Sequence, residues 1–122
     1  MKVKIYGAAN CITCLKAKVW LETNHLPYDF IDLDRTSLSQ EEAEELCSFK
    51  EAVPEQMFAT WSEAFPQELE ENLSCLDKKQ IVKLCSEHSK ALRRPIIIID
   101  EVLFVGYDER LLSKIVMNEQ NK

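Results

Sequence analysis

Only two glycines and four prolines punctuate the 122 residues, too few for a collagen-like or linker-dominated chain. No apolar run approaches the roughly 20 residues that span a bilayer. Met1-Lys2-Val3-Lys4 leads into a short strand pattern instead of the apolar core of a signal peptide, so a cytoplasmic chain with no membrane contact is expected. Positive charge is outnumbered. Fifteen Lys and Arg against twenty-one Asp and Glu leave a formal net charge of −6, which argues against a broad basic footprint and strong direct DNA binding. A role near nucleic acid then calls for a protein intermediary. Five cysteines cannot all pair, and only Cys11 and Cys14 stand at a recognised spacing, which disfavours a secreted disulfide framework. Zinc takes about four ligands, and no second Cys-x-x-Cys or His pair at ligand spacing accompanies the first, so neither a metal nor a cofactor is expected. In a reducing compartment the pair then reads as a redox site.

What is present suffices for a core: 46% of the residues are apolar, ordinary for a globular domain. One unit over 1–122 is expected, with a core about 1–50 and 92–122 and a helical insert about 51–91. Val3 and Ile5 alternate with lysines toward Tyr6 and Gly7, a short strand. A helix follows, in which Ile12, Leu15 and Val19, joined by Trp20 and Leu21, form the expected buried stripe while Lys16, Lys18 and Glu22 face water. Asn24 to Pro27 ends it, and Tyr28 to Leu33 alternates as a second strand. Ser39 with Glu42 makes a capping box for a helix through Leu46 to about Phe49. Its acidic run favours the N-terminal dipole. From Pro54 to Leu92 the strand signal disappears, and Asp77 with Gln80 forms another capping box before Ile81, Leu84 and Cys85. Ile96 to Ile99 is a β-branched run suited to a strand buried on both faces. Asp100-Glu101 turns into Leu103 to Val105, Gly106 ends that strand, and Asp108 caps a last helix through Leu111, Leu112 and Ile115. The order βαβα, helical insert, ββα is that of an α/β thioredoxin-like core with an added helical subdomain.

Cys11-Ile12-Thr13-Cys14 falls where strand turns into helix, beside unpaired N–H groups and the positive end of the helix dipole. A thiolate on Cys11 is favoured there. One helical turn separates the two thiols, close enough for Cys14 to resolve a mixed disulfide on Cys11 or for the pair to close on itself. Two unreactive cysteines beside a core helix are the plainer alternative. Arg93-Arg94-Pro95 precedes the isoleucine strand. Proline there fixes φ and removes a donor, particularly if its bond is cis, and so exposes backbone to a partner. Either arginine can hold a thiolate, a carboxylate or an oxyanion through its planar fork, or simply remain a solvated loop charge.

The stretches Lys4-Ile5-Tyr6, Cys11 to Ala17, Trp20-Leu21, Leu92 to Ile97 and Val105-Gly106-Tyr107 together resemble the ArsC family, and within it the Spx regulators of bacterial RNA polymerase. The resemblance runs almost end to end. It implies a thioredoxin-like core with a helical subdomain, a Cys-x-x-Cys switch, binding to the C-terminal domain of the polymerase α subunit in stress response, and turnover through a protease adaptor. The arsenate reductases of the group are similar but use the first cysteine as nucleophile on arsenate, helped by arginines. Cys11 matches both roles, and Cys14 favours the regulator. Two departures stand out. Thr60-Trp61-Ser62 replaces a threonine–arginine pair, which removes one anion ligand. In the loop where relatives carry a glycine that admits the polymerase subunit, this chain reads Glu51-Ala52-Val53-Pro54, so Ala52 and Val53 form a bulkier candidate contact.

The remaining candidates read as structural. Cys47, Cys75 and Cys85 lie in helical patterns and are assigned to packing. His25 and His88 lie at helix ends. Trp20 is assigned to the core, and so, ahead of a partner surface, is Trp61 between Phe58 and Phe65. Three functions follow: a redox-sensing regulator first, a reductase or general thiol–disulfide oxidoreductase second, and a redox-inert adaptor using Trp61 and the insert third.

Overall fold

Alternation of apolar and lysine side chains carries Val3–Gly7 into strand β1, whose Val3 and Ile5 join one core while Tyr6, on the opposite face, joins the other. The computed structural model describes residues 2–120; Met1, Asn121 and Lys122, the ends of the unit expected over 1–122, lie outside the described residues. After β1 come α1 (Ile12–Thr23), β2 (Asp29–Asp32), α2 (Gln40–Cys47) and the single turn α3 (Pro54–Met57). Short 3-10 turns at Gln67–Leu69, Leu73–Cys75 and Ser89–Ala91 surround α4 (Lys78–Glu87). The chain returns through β3 (Ile96–Ile99) and β4 (Val102–Val105) to α5 (Glu109–Gln120).

The sheet has the order β2-β1-β3-β4. β1 runs parallel to β2 and antiparallel to β3, and β3 pairs antiparallel with β4. Because side chains alternate across a strand, the four isoleucines of β3, all buried, divide evenly. Ile96 and Ile98 join the core formed with α2, α3 and α4, while Ile97 and Ile99 join Ala17, Trp20 and Leu21 of α1 and Leu112 and Val116 of α5. A mixed sheet covered on both faces in this way is the thioredoxin-like α/β arrangement expected from the order of elements.

Local signals place the helices. Ser39 Oγ accepts the Glu42 N–H at 3.1 Å while the Glu42 carboxylate accepts the Ser39 N–H at 3.0 Å, so both halves of the capping box form. Asp77 and Gln80 repeat it at the start of α4, at 2.8 and 2.9 Å. Asp108 Oδ1 accepts from the Arg110 and Leu111 N–H groups at the start of α5. Positive φ at Asp100 (51°) and Gly106 (88°) bounds the β3–β4 hairpin.

Three expectations are corrected. In α1 the buried residues are Cys14, Ala17, Trp20 and Leu21, whereas Ile12, Leu15 and Val19 are 74%, 58% and 51% exposed. The two sets lie on roughly opposite sides of a helix of about 3.6 residues per turn, and the small Cys14 and Ala17 let the helix approach the sheet closely. Helix α2 stops at Cys47, two residues short of Phe49. The insert is mostly turns, with α4 its one helix longer than a single turn among the described residues. Replacing Asp77 by Ala is expected to cost about 1 kcal/mol in urea unfolding, and Ile97→Ala about 2–5 kcal/mol. Equal losses for the two would contradict the assignment of a surface cap and a doubly covered core strand.

Candidate functional site

Strand β1 ends at Gly7, and the next turn delivers Cys11 to the N-cap of α1 in an extended conformation (φ −95°, ψ 122°). From there the Cys11 sulfur accepts the backbone N–H of Cys14 at 3.4 Å and contacts Thr13 Oγ1 at 3.5 Å. A thiol thus fills the place that Ser, Thr, Asp or Asn usually occupies. Cys11 is half-buried, Cys14 is fully buried, and both are free thiols. Cys14 sits behind the end of β1: a Cβ added at Gly7 would lie 2.6 Å from the Cys14 sulfur and 3.3 Å from the Phe30 ring. Gly7 is therefore a site residue, read from the sequence only as a strand end. A glycine closing a strand just before Cys-x-x-Cys was the available signal.

The two thiols are pushed apart in acidity. Burial raises Cys11, but hydrogen bonds from the Cys14 and Thr13 side chains and backbone outweigh it and bring that thiol below its ordinary value. Cys14 is pushed up to about 11, first by burial and then by its hydrogen bond to Cys11. The arrangement combines a reachable nucleophile with a protonated partner held one turn behind it.

The residues near β3 divide between two jobs. The Arg94–Pro95 bond is cis and Pro95 is buried. The Arg94 guanidinium pairs with Asp34 at 2.8 Å and donates to the Lys90 carbonyl at 3.4 Å. Its hydrogen bond holds the Asp34 carboxyl below the usual range, and its charge lowers Cys14 slightly against the larger effects of burial and Cys11. Arg94 therefore stands within electrostatic reach of Cys14 with its fork already engaged. Arg93 turns elsewhere: Nε donates to the Phe58 carbonyl at 3.2 Å, and the guanidinium lies 4.8 Å from the Trp61 ring centroid. Trp61 is 71% exposed, which corrects its assignment to the core; Phe58 and Phe65 are the buried aromatics there. A shallow groove runs between Trp61, Arg93, Arg94 and Gly106.

The Ala52–Val53 loop is held along the free edge of β4, where Glu51 Oε1 accepts the Leu103 N–H at 3.1 Å. Ala52 packs against the α2–α4 core, whereas Val53 is 38% exposed. The exposed Leu15 and Val19 line a second groove with Lys16, Tyr107 and Glu109, directly along the helix from Cys11. Of the three cysteines assigned to packing, Cys85 is buried and Cys47 half-buried, but Cys75 is exposed on its turn, a correction that follows from the insert's lack of a helix there. Among the described residues, no cluster of three or more His, Cys, Asp or Glu side chains is arranged to hold a metal ion, and no helix is long and apolar enough to cross a membrane.

A model of the ArsC family matches residues 6–115. The global transcriptional regulator Spx 1 of Bacillus cereus is 37% identical over 107 residues, which cover 88% of this chain and 81% of that one. Among solved structures, an ArsC family related protein from Bacteroides fragilis aligns with a TM-score of 0.77 at 22% identity, covering 93% of this chain and 97% of that one. An arsenate reductase from Vibrio cholerae aligns with a TM-score of 0.69 at 24% identity, over 96% and 97% of the two chains. At such identities these two likenesses establish the fold.

Alkylation by iodoacetamide reports the thiolate, which is lost as pH falls through a thiol's pKa. Cys11 should therefore react with a midpoint below the ordinary 9.0, and Cys14 only in a second step near about 11. Mass spectrometry of the modified peptide distinguishes the two; simultaneous labelling at one midpoint would contradict the asymmetry. Gly7→Ala overpacks the Cys14 sulfur and should cost about 1–3 kcal/mol while bringing the Cys14 step forward in the same assay.

Proposed function

This chain belongs to the ArsC family as an Spx-like member, and we propose that it is a thiol-switched transcriptional regulator that acts through a protein partner. The partner of choice is the C-terminal domain of the RNA polymerase α subunit, and the place of action is the cytoplasm. The observation that carries the reading is the half-buried Cys11 sulfur capping α1, with the protonated, buried Cys14 one turn away. The printed role of the Bacillus cereus relative as a global transcriptional regulator supports the class of function. The net charge of −6 disfavours independent attachment to DNA and so favours action through protein.

A disulfide between Cys11 and Cys14 ties up the capping sulfur at the first turn of α1 and discharges the Cys11 thiolate, beside the Cys14 sulfur that the Arg94 charge reaches. Two features make that change readable from outside. Ile12, Leu15 and Val19 continue from Cys11 as an exposed apolar face, and Arg94 lies with Asp34 in a pair that a changed local charge biases. The exposed Val53 offers a further contact on the loop beside β4. Catalysis is the second reading, because a half-buried, acidified Cys11 is also what a thiol–disulfide oxidoreductase needs. For arsenate in particular, the cations are committed: Arg94 to Asp34, Arg93 to Trp61 and the Phe58 carbonyl.

Pull-downs with the purified α-subunit domain, run with dithiothreitol, with diamide and on Cys11→Ser, test the regulator. Affinity is expected to differ between the two redox states by about tenfold, or about 1.4 kcal/mol, and Cys11→Ser should abolish the difference. Absence of binding in every state removes the polymerase partner. Turnover of arsenate with glutathione and glutaredoxin above the level of Cys11→Ser would move the assignment to the reductase.

A further inference from the structure

Two more sulfurs meet away from Cys11 and Cys14. Cys47 closes α2 and Cys85 lies in the last turn of α4, and their Sγ atoms stand 3.8 Å apart across the packed helices. The residues are 38 positions apart in the chain, so their spacing carries no sequence signature. Their sulfurs are at contact distance, about 1.8 Å farther apart than in a bond of ~2.05 Å, a gap within the sweep of the two atoms about their Cα–Cβ bonds. Access is unequal: Cys85 is fully buried, while Cys47 is half-buried and reached from the surface at the helix end. The acidities are unequal in the same sense as in the Cys-x-x-Cys pair. A hydrogen bond from Cys85 brings the Cys47 thiol down against its burial, with help from the Lys78 charge, and the same bond together with burial pushes Cys85 up.

We propose that Cys47 and Cys85 form a second dithiol–disulfide site, which cross-links α2 to α4 when hydrogen peroxide reaches Cys47. In the first step the Cys47 thiolate attacks one peroxide oxygen and the O–O bond breaks. The departing hydroxide takes up a proton and leaves as water, and Cys47 becomes a sulfenic acid, oxidised by two electrons. The Cys85 sulfur then displaces the sulfenic oxygen. The S–S bond forms as the S–O bond breaks, and the oxygen leaves with the Cys85 proton as a second water. Two thiols and one peroxide yield one disulfide and two waters; a dithiol reductant restores the two thiols by exchange and is itself oxidised to a disulfide. The bond fixes the end of α2 from which Ser48 to Val53 departs and closes the chain across α3 and the turns of the insert. This site requires neither the polymerase partner nor chemistry at Cys11.

Trypsin separates the cysteines cleanly: residues 36–50 carry Cys47, 51–78 carry Cys75, 84–90 carry Cys85, and 5–16 carry Cys11 and Cys14 together. Dilute wild-type protein is reduced, desalted, exposed to hydrogen peroxide, alkylated and digested without reductant. The expected product is the 36–50 peptide joined to 84–90, lost on treatment with dithiothreitol and formed to the same extent in Cys11→Ser. Oxidised Cys11→Ser should also melt at a higher temperature than its reduced form, since the cross-link restricts the unfolded chain, and Cys11→Ser/Cys47→Ser should show no such rise. The proposal is overturned if both peptides stay fully alkylated under oxidation that joins Cys11 to Cys14, or if Cys47 is recovered joined to Cys75 or to a second chain. The wild-type digest decides the matter even where a variant folds poorly.

Discussion

A sulfur atom does the work of an N-cap. The first turn of any helix presents N–H groups without intrahelical partners, and here the Cys11 sulfur accepts one of them, from Cys14. That contact positions the first thiol, adds to the hydrogen bonds from the Cys14 and Thr13 side chains that lower its pKa, and aims α1 so that Cys14 falls against the end of β1, where only a glycine leaves room for its sulfur. The rest of the fold supports this junction. β1 must lie in the interior of the sheet so that its end is held between β2 and β3, and α1 must press closely enough on the sheet to bury Cys14 and Ala17 completely.

Close approach has a consequence on the far side of the same helix. A helix seated through small side chains leaves its larger apolar residues outward, and Ile12, Leu15 and Val19 face solvent. The half-buried Cys11 thiol and an apolar helix face are therefore continuous on the surface, an arrangement that supports the proposed redox-dependent contact with a partner over enclosure of a small substrate. The commitments of Arg93 and Arg94 point the same way, since each guanidinium is engaged by groups of the protein itself. Cys47 at the end of α2 and Cys85 in the insert bring a second two sulfurs into contact, with the same contrast between one reachable and one buried thiol.

Much of this was legible from local pattern. Short-range rules located both capping boxes, the Asp108 cap, the isoleucine strand and the turn at Gly106, because each depends on residues within a few positions of one another. The order of elements was enough for the thioredoxin-like arrangement. What misled was α1, which carries apolar residues on two opposite faces, so that periodicity identified a helix without saying which stripe the sheet would cover. Trp61 was assigned inward on aromatic composition, yet Arg93 covers one of its faces and leaves the ring exposed.

The sequence by itself determined the strands and helices of the core, their order and the place of the first thiol at the head of a helix, since capping, alternation and strand propensity act between neighbours along the chain. Only the tertiary structure decided which face of α1 is buried, that Gly7 shelters the Cys14 sulfur, that Arg94 pairs with Asp34, and that Cys47 meets Cys85. These are contacts between segments whose separation is set by packing across the sheet and between helices, and no spacing along the chain encodes a distance that packing alone establishes.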